Sequence, residues 1–104
     1  MFDPTIKIRA TAAGPETTVR VLMPHPMESG NRKDASGARI PAHHITSVTV
    51  THNDKPVLQA QFGPSVSRDP LITFKFQGGK PGDAIGLVWI DNKGVTRFAQ
   101  AQVV

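Results

Sequence analysis

The sequence predicts an all-β chain, an immunoglobulin-like antiparallel β-sandwich of about seven strands. Three observations point there. Apolar residues recur at alternate positions in short runs, and no segment of useful length repeats at the helical period. Nine glycines and nine prolines set turn signals between these runs about every 8–12 residues. The 104 residues suffice for one domain, residues 1–104.

The elements follow in order. Ile6 to Ala12 alternates, with Ile6, Ile8 and Ala10 inward against Lys7, Arg9 and Thr11. Thr17 to Met23 does the same through Val19, Val21 and Met23. In the third strand, about Ala42 to His52, Ile45 differs in parity from Val48 and Val50, which requires a bulge between them. Asn53-Asp54 turns the chain into Pro56 to Phe62, with Leu58, Ala60 and Phe62 inward. Leu71 to Phe76 carries Ile72, Phe74 and Phe76 on one face. Asp83 to Ile90 is apolar on both faces, so it is either central to the core or covered by another protein. Trp89 is expected to be an inter-sheet core residue. "DNKG" leads into the last strand, Val95 to Val103, where Phe98 is out of phase with the inward residues.

Charge and composition narrow the function. The net charge of +4 favours acidic partners. There is no tyrosine, and the five phenylalanines and one tryptophan fall mostly in strand phase, so stacking platforms for single-stranded nucleic acid are missing. The absence of cysteine excludes disulfides, thiol chemistry and thiolate ligands in this chain. The start "MFDPTIKIRA" lacks the basic region and apolar run of a signal peptide, and no apolar stretch reaches the ~20 residues of a membrane helix.

The most informative segment is the connection between the second and third strands, a long loop at about residues 24–41. Pro24 and Pro26 hold the residues before them extended, so the chain leaves its strand as a stiff arm. Loops longer than about 12–15 residues without structure of their own are usually functional or mobile. His25, Met27 and the pair His43/His44 lie at its two ends, a donor set that suits copper. Against a metal, adjacent His43 and His44 should point to opposite faces, and no carboxylate is placed to orient the imidazoles. Asp54, Asp69, Asp83 and Asp91 all lie beside turns, where aspartate commonly bonds its own backbone. No serine sits in a nucleophile elbow, and "GGKPGD" lacks the ending of a phosphate loop. No catalytic residue and no cofactor are expected.

The runs "VRVLMPHPMESGNRKDASGARIPAHHI", "HNDKPVLQAQFGPSVSRDPLITFKFQGGKPGD" and "VWIDNKG" closely resemble the Z subunit of the bacterial sulfur-oxidation (Sox) system, the SoxZ family. The likeness spans Ile6 to Val103. It implies a non-catalytic, immunoglobulin-like subunit that pairs with SoxY in a periplasmic SoxYZ carrier, with sulfur intermediates held on a SoxY cysteine and presented to Sox enzymes. It also implies export in the company of a signal-bearing SoxY. On that reading Val88, Ile90 and Phe98 are candidates for the SoxY interface by strand parity. His25, Met27, Arg32, Lys33 and His43 of the long loop are candidates for contact with SoxY or a visiting enzyme, with Arg32, Lys33 and Arg39 as cations beside the carrier arm. The alternative is a copper-binding immunoglobulin-like module using His25, Met27, His43 and His44. A hydrolase has only scattered serines and histidines in its favour.

Overall fold

Strands that are apolar on one side bury that side only by stacking against another sheet. In the computed structural model, which describes residues Met1–Val104, the chain does this with two antiparallel sheets and no helix. The strands are β1 (Lys7–Ala13), β2 (Glu16–Leu22), β3 (Ile45–His52), β4 (Lys55–Gln61), β5 (Leu71–Gln77), β6 (Ala84–Asp91) and β7 (Thr96–Gln102). One sheet has the order β1-β2-β5 and the other β4-β3-β6-β7. The expected sandwich and all seven strands are present, with boundaries shifted by a few residues at most.

Parity decides the core. Val19 and Val21 from the first sheet, with Met23 just beyond β2, meet Ile45, Val48, Val50, Ile85, Leu87 and Trp89 from the second, all of them buried. The anticipated irregularity in β3 lies between Ile45 and Ser47 on the side facing β6. The register shift brings Ile45, Val48 and Val50 to the same interior. Asn53 and Asp54 both adopt positive φ, 47° and 69°, the left-handed pair that a tight two-residue hairpin turn requires. Leu58, Ala60 and Phe62 reach only half burial, because β4 is an edge strand. Trp89 sits between the sheets as expected.

The two sides of the sandwich differ. On one, the chain beyond β7 crosses to β1: Val104 N–H donates to Ala10 O and Ala12 N–H to Val104 O, both at 2.9 Å. These bonds stitch the two sheets together along β1. Neither β4 nor β5 has a strand on its other flank, so both are sheet edges.

The long loop has structure of its own, contrary to expectation. Glu28 and His43 exchange backbone hydrogen bonds at 2.7 and 2.9 Å, Ile40 N–H donates to Arg32 O, and Asp34 N–H donates to Ala38 O. The segment is thus a narrow hairpin arm. Seven-residue strands span only about 25 Å, whereas the chain extends over 54 × 23 × 19 Å.

Gly79 sits at φ +93°, where a Cβ would run into the Thr17 hydroxyl. That hydroxyl is committed, donating to Gly78 O at 2.7 Å from a fully buried side chain. Gly79→Ala should therefore cost about 2–4 kcal/mol in urea unfolding. Gly78→Ala, at the same φ but in open space, should cost only about 1 kcal/mol. Equal losses would contradict this account.

Candidate functional site

The base of the arm is built around one carboxylate. Asp91 ends β6 and is buried, with its side chain 1% exposed. Its Oδ1 accepts the backbone N–H groups of Lys93 and Val95, both at 3.0 Å, which is the turn chemistry read from the sequence. Its Oδ2 faces the Nε2 atoms of His25 at 3.3 Å and His43 at 3.0 Å. The sequence reading that no carboxylate orients these imidazoles is therefore corrected. Sixty-six residues separate His25 from Asp91, and only the sandwich brings them together.

His25 is positioned from several directions. Asp69 accepts its backbone N–H through Oδ1 and donates its own N–H to His25 O, each at 3.0 Å. Its ring stands edge-on to His43, 4.5 Å between centroids, and to Trp89 at 5.1 Å. Met27 N–H donates to Nδ1 at 3.1 Å. The single ring proton must then sit on Nε2 and point at Asp91. Burial holds the His25 pKa below its ordinary value, against the opposing pull of the Asp91 hydrogen bond. Burial also works to raise the Asp91 pKa, but hydrogen bonds from Val95, His25, His43 and Lys93 prevail and hold it low.

His25, His43 and Asp91 bring three potential ligand atoms within 4.8 Å of one another. The proton placement works against a metal there. Coordination through His25 Nε2 would displace the proton it shares with Asp91, either onto Nδ1 at the cost of the Met27 bond or off the ring altogether. The set of four proposed for copper is not assembled. The Met27 sulfur accepts the Ile45 N–H at 3.3 Å, and the His44 ring is not among the ligand atoms that converge with His25 and His43. No hydrogen bond joins a serine to His25 or His43.

Burial also changes the role of two loop candidates. His25 and Met27 are 5% and 6% exposed. Both support the arm from within and offer no docking surface, because the hairpin folds its root back onto the core. Met27 takes a left-handed φ of 50° to do so. His43 is half-buried. Arg32 is exposed but committed, its guanidinium bonding Glu28 at 2.6 and 3.2 Å; the steering cation expected there is paired within the arm. Lys33 and Arg39 are exposed and make no ion pair.

The three strand candidates lie on a different surface. Val88, Ile90 and Phe98 are 40%, 41% and 37% exposed on the outer face of the four-stranded sheet. Of the two alternatives for β6, burial on both faces within this chain is therefore excluded. Val88 stands between Thr49 and Phe98, and Ile90 between Ser47 and Thr96. Gln59 and Gln61 of β4 continue the same rows. Thr51, Ala84, Gly86, Gln100 and Gln102 complete the face. None of these residues is charged, in a chain with twelve basic and eight acidic side chains. The Phe2 ring packs edge-on to Phe98, 5.8 Å between centroids, and extends the apolar area at the β7 edge.

These features define a class: a β-sandwich with an internal His–Asp structural knot, a projecting arm and a neutral, partly apolar sheet face. Solved structures share the fold. A hypothetical protein from Pyrococcus horikoshii aligns with TM-score 0.68 at 17% identity, over 95% of this chain and 87% of that one. A superoxide reductase (neelaredoxin) from Ignicoccus hospitalis aligns with TM-score 0.60 at 20% identity, over 95% and 78%. A putative superoxide reductase from Thermotoga maritima gives 0.61 at 15%, over 97% and 83%. At such identities the likeness is one of fold. A comparison with curated proteins finds no match. Residues 6–102, nearly the whole chain, match the family described as sulphur oxidation protein SoxZ. The chain belongs to the SoxZ family, as its motifs indicated.

Two outcomes test the knot. Asp91→Asn replaces one acceptor by an NH2 group, and whichever oxygen it replaces is faced by donors, so the variant should lose about 3 kcal/mol and melt more than about 10 °C earlier. A loss under about 1 kcal/mol would make the knot incidental. Acidification should weaken the fold monotonically. A histidine with a depressed folded pKa contributes fully above about pH 6.5 and less as pH falls, and a depressed aspartate extends the loss below about pH 3.9. Urea unfolding from pH 7 to 3 should show this slope, and His25→Gln should flatten its upper part.

Proposed function

We propose that this chain is the non-catalytic subunit of a SoxYZ carrier, pairing with SoxY in the periplasm so that sulfur intermediates on a SoxY cysteine can be presented to Sox enzymes. The absence of cysteine fits a subunit that carries no intermediate itself.

One observation carries the assignment of the interface: the uncharged outer face of the four-stranded sheet, with Val88, Ile90 and Phe98 exposed at its centre. Centres of stable interfaces are depleted of charge and enriched in apolar and aromatic side chains. At ordinary strand spacing four such strands cover a patch of about 19 by 25 Å. A standard interface buries about 800 Å² on each side, so Phe2 and the turn beyond Ile90 would contribute as well. The family resemblance implies SoxY as the occupant, with Val88, Ile90 and Phe98 as its contact residues. The arm, with Lys33, Arg39 and the accessible edge of His43, would meet SoxY or a visiting enzyme at the rim.

Purification from the native host through a tag on this chain should bring down one stoichiometric partner ending in a sulfur-modified cysteine, identified by intact mass spectrometry. Val88→Asp/Phe98→Asp should lose that partner while melting within a few degrees of the wild type, because both side chains are solvent-exposed. Retention of the partner by the folded double variant would place the interface elsewhere.

A further inference from the structure

The outer face of the other sheet has the opposite character. Along β1, β2 and β5 its outward residues include Lys7, Arg9, Arg20 and Lys75 against one carboxylate, Glu16, a net +3 of the chain's +4. All four cations are exposed, and none makes an ion pair. Arg9 lies directly opposite Arg20 in the β1–β2 register. Opposed like charges destabilise a sheet, and a Gln or Thr at either position would avoid that.

Beside the arginine pair, the next row outward is Lys7, Leu22 and Leu71. Leu71 is 58% exposed and Leu22 37%. Lys7, Ile8, Arg9, Arg20, Leu22 and Leu71 line one shallow depression. A bare oxyanion would use the guanidiniums and leave the leucines wet. A protein segment with carboxylates flanking an apolar side chain satisfies both halves, since arginine binds carboxylate through paired hydrogen bonds and the leucines cover the apolar group.

We infer that the basic face of β1, β2 and β5 is a second docking surface, for an acidic segment of a partner protein that inserts one apolar side chain between Leu22 and Leu71. It goes beyond the SoxY reading and does not depend on it, because the two surfaces lie on opposite sides of the sandwich. A basic face with a small apolar anchor gives fast, salt-sensitive and short-lived association. A neutral, more apolar face suits the permanent partner.

The test is an NMR titration of the full 104-residue chain with a synthetic peptide of four Asp/Glu residues around one Leu. At low salt, saturable shifts should be confined to β1, β2 and β5 around Arg9, Arg20 and Leu71, with affinity falling about ten-fold between 20 and 200 mM salt. Arg9→Gln/Arg20→Gln should weaken binding at least as much while melting no earlier than wild type, since an opposed like-charge pair is removed. Lys33→Gln/Arg39→Gln on the arm should leave the titration unchanged. A peptide with Gly for Leu should bind more weakly. The inference is overturned if shifts fall on the arm or scatter over the surface, if the Gly peptide binds equally, or if thiosulfate saturates the same residues with equal affinity and so marks a small-anion site. SoxY is absent from the experiment, so its outcome is independent of the neutral face.

Discussion

The carboxylate of Asp91 accepts from four donors that belong to separate stretches of the chain: His25 at the root of the arm, His43 where the arm returns, and Lys93 and Val95 in the turn into β7. A buried carboxylate is tolerated only when its lone pairs are filled, and here each oxygen takes two. Asp91 holds the outgoing and the returning ends of the arm together, while Asp69 fixes the His25 backbone and Asn92 that of Ala42 and His44. A related device closes the opposite end of the same strand pair, where His52 Nε2 meets Asp83 Oδ2 at 2.8 Å. That pair is partly exposed, and its hydrogen bond is the main reason the Asp83 pKa lies below its usual range. β3 and β6, the central strands of the larger sheet, are thus clasped by a histidine and an aspartate at both ends.

Much of this architecture could be read from the sequence because strand parity is a local property. Each strand announces its inward face within five or six residues, and the parity conflict between Ile45 and Val48 was enough to require a bulge. The arm was harder to read. Asp91 looks like a turn residue because one of its oxygens is a turn acceptor; the other meets histidines that no local pattern associates with it. His25 and Met27 occur in a polar, proline-rich stretch that reads as surface, and only the return of the hairpin shows them to be interior. Arg32 lies four residues beyond Glu28, a spacing that in a helix would suggest the pair, but in a loop it carries no such signal. The exposed placement of Val88, Ile90 and Phe98 was legible as one of two alternatives, because parity names a face without saying what covers it.

The two sheets divide the electrostatics of the molecule. One outer face presents amides, hydroxyls and a few apolar side chains, and the other presents almost all the unbalanced positive charge. A sandwich separates its outer faces by two layers of backbone and a core about 10 Å thick, and the salt solution around it screens exposed charges over about 8 Å. A partner on the neutral face would therefore feel little of the field from the other. The fold allows the two surfaces to evolve independently, since each outward position can change without disturbing the inward one beside it.

The hydrogen bonds between Val104 and the Ala10–Ala12 stretch of β1 have a kinetic meaning. β1 is joined to a segment more than ninety residues downstream, and closing so long a loop is slow relative to forming local hairpins. On the ribosome, β1 and β2 can pair early and β3 and β4 can pair around Asn53-Asp54, but the seam between the sheets must wait until residue 104 has emerged. Until then the β7 side of the sandwich stays open, and the nascent chain is a set of hairpins with uncovered apolar faces. Val103 and Val104, unremarkable in themselves, act as the fastening that turns those hairpins into one body.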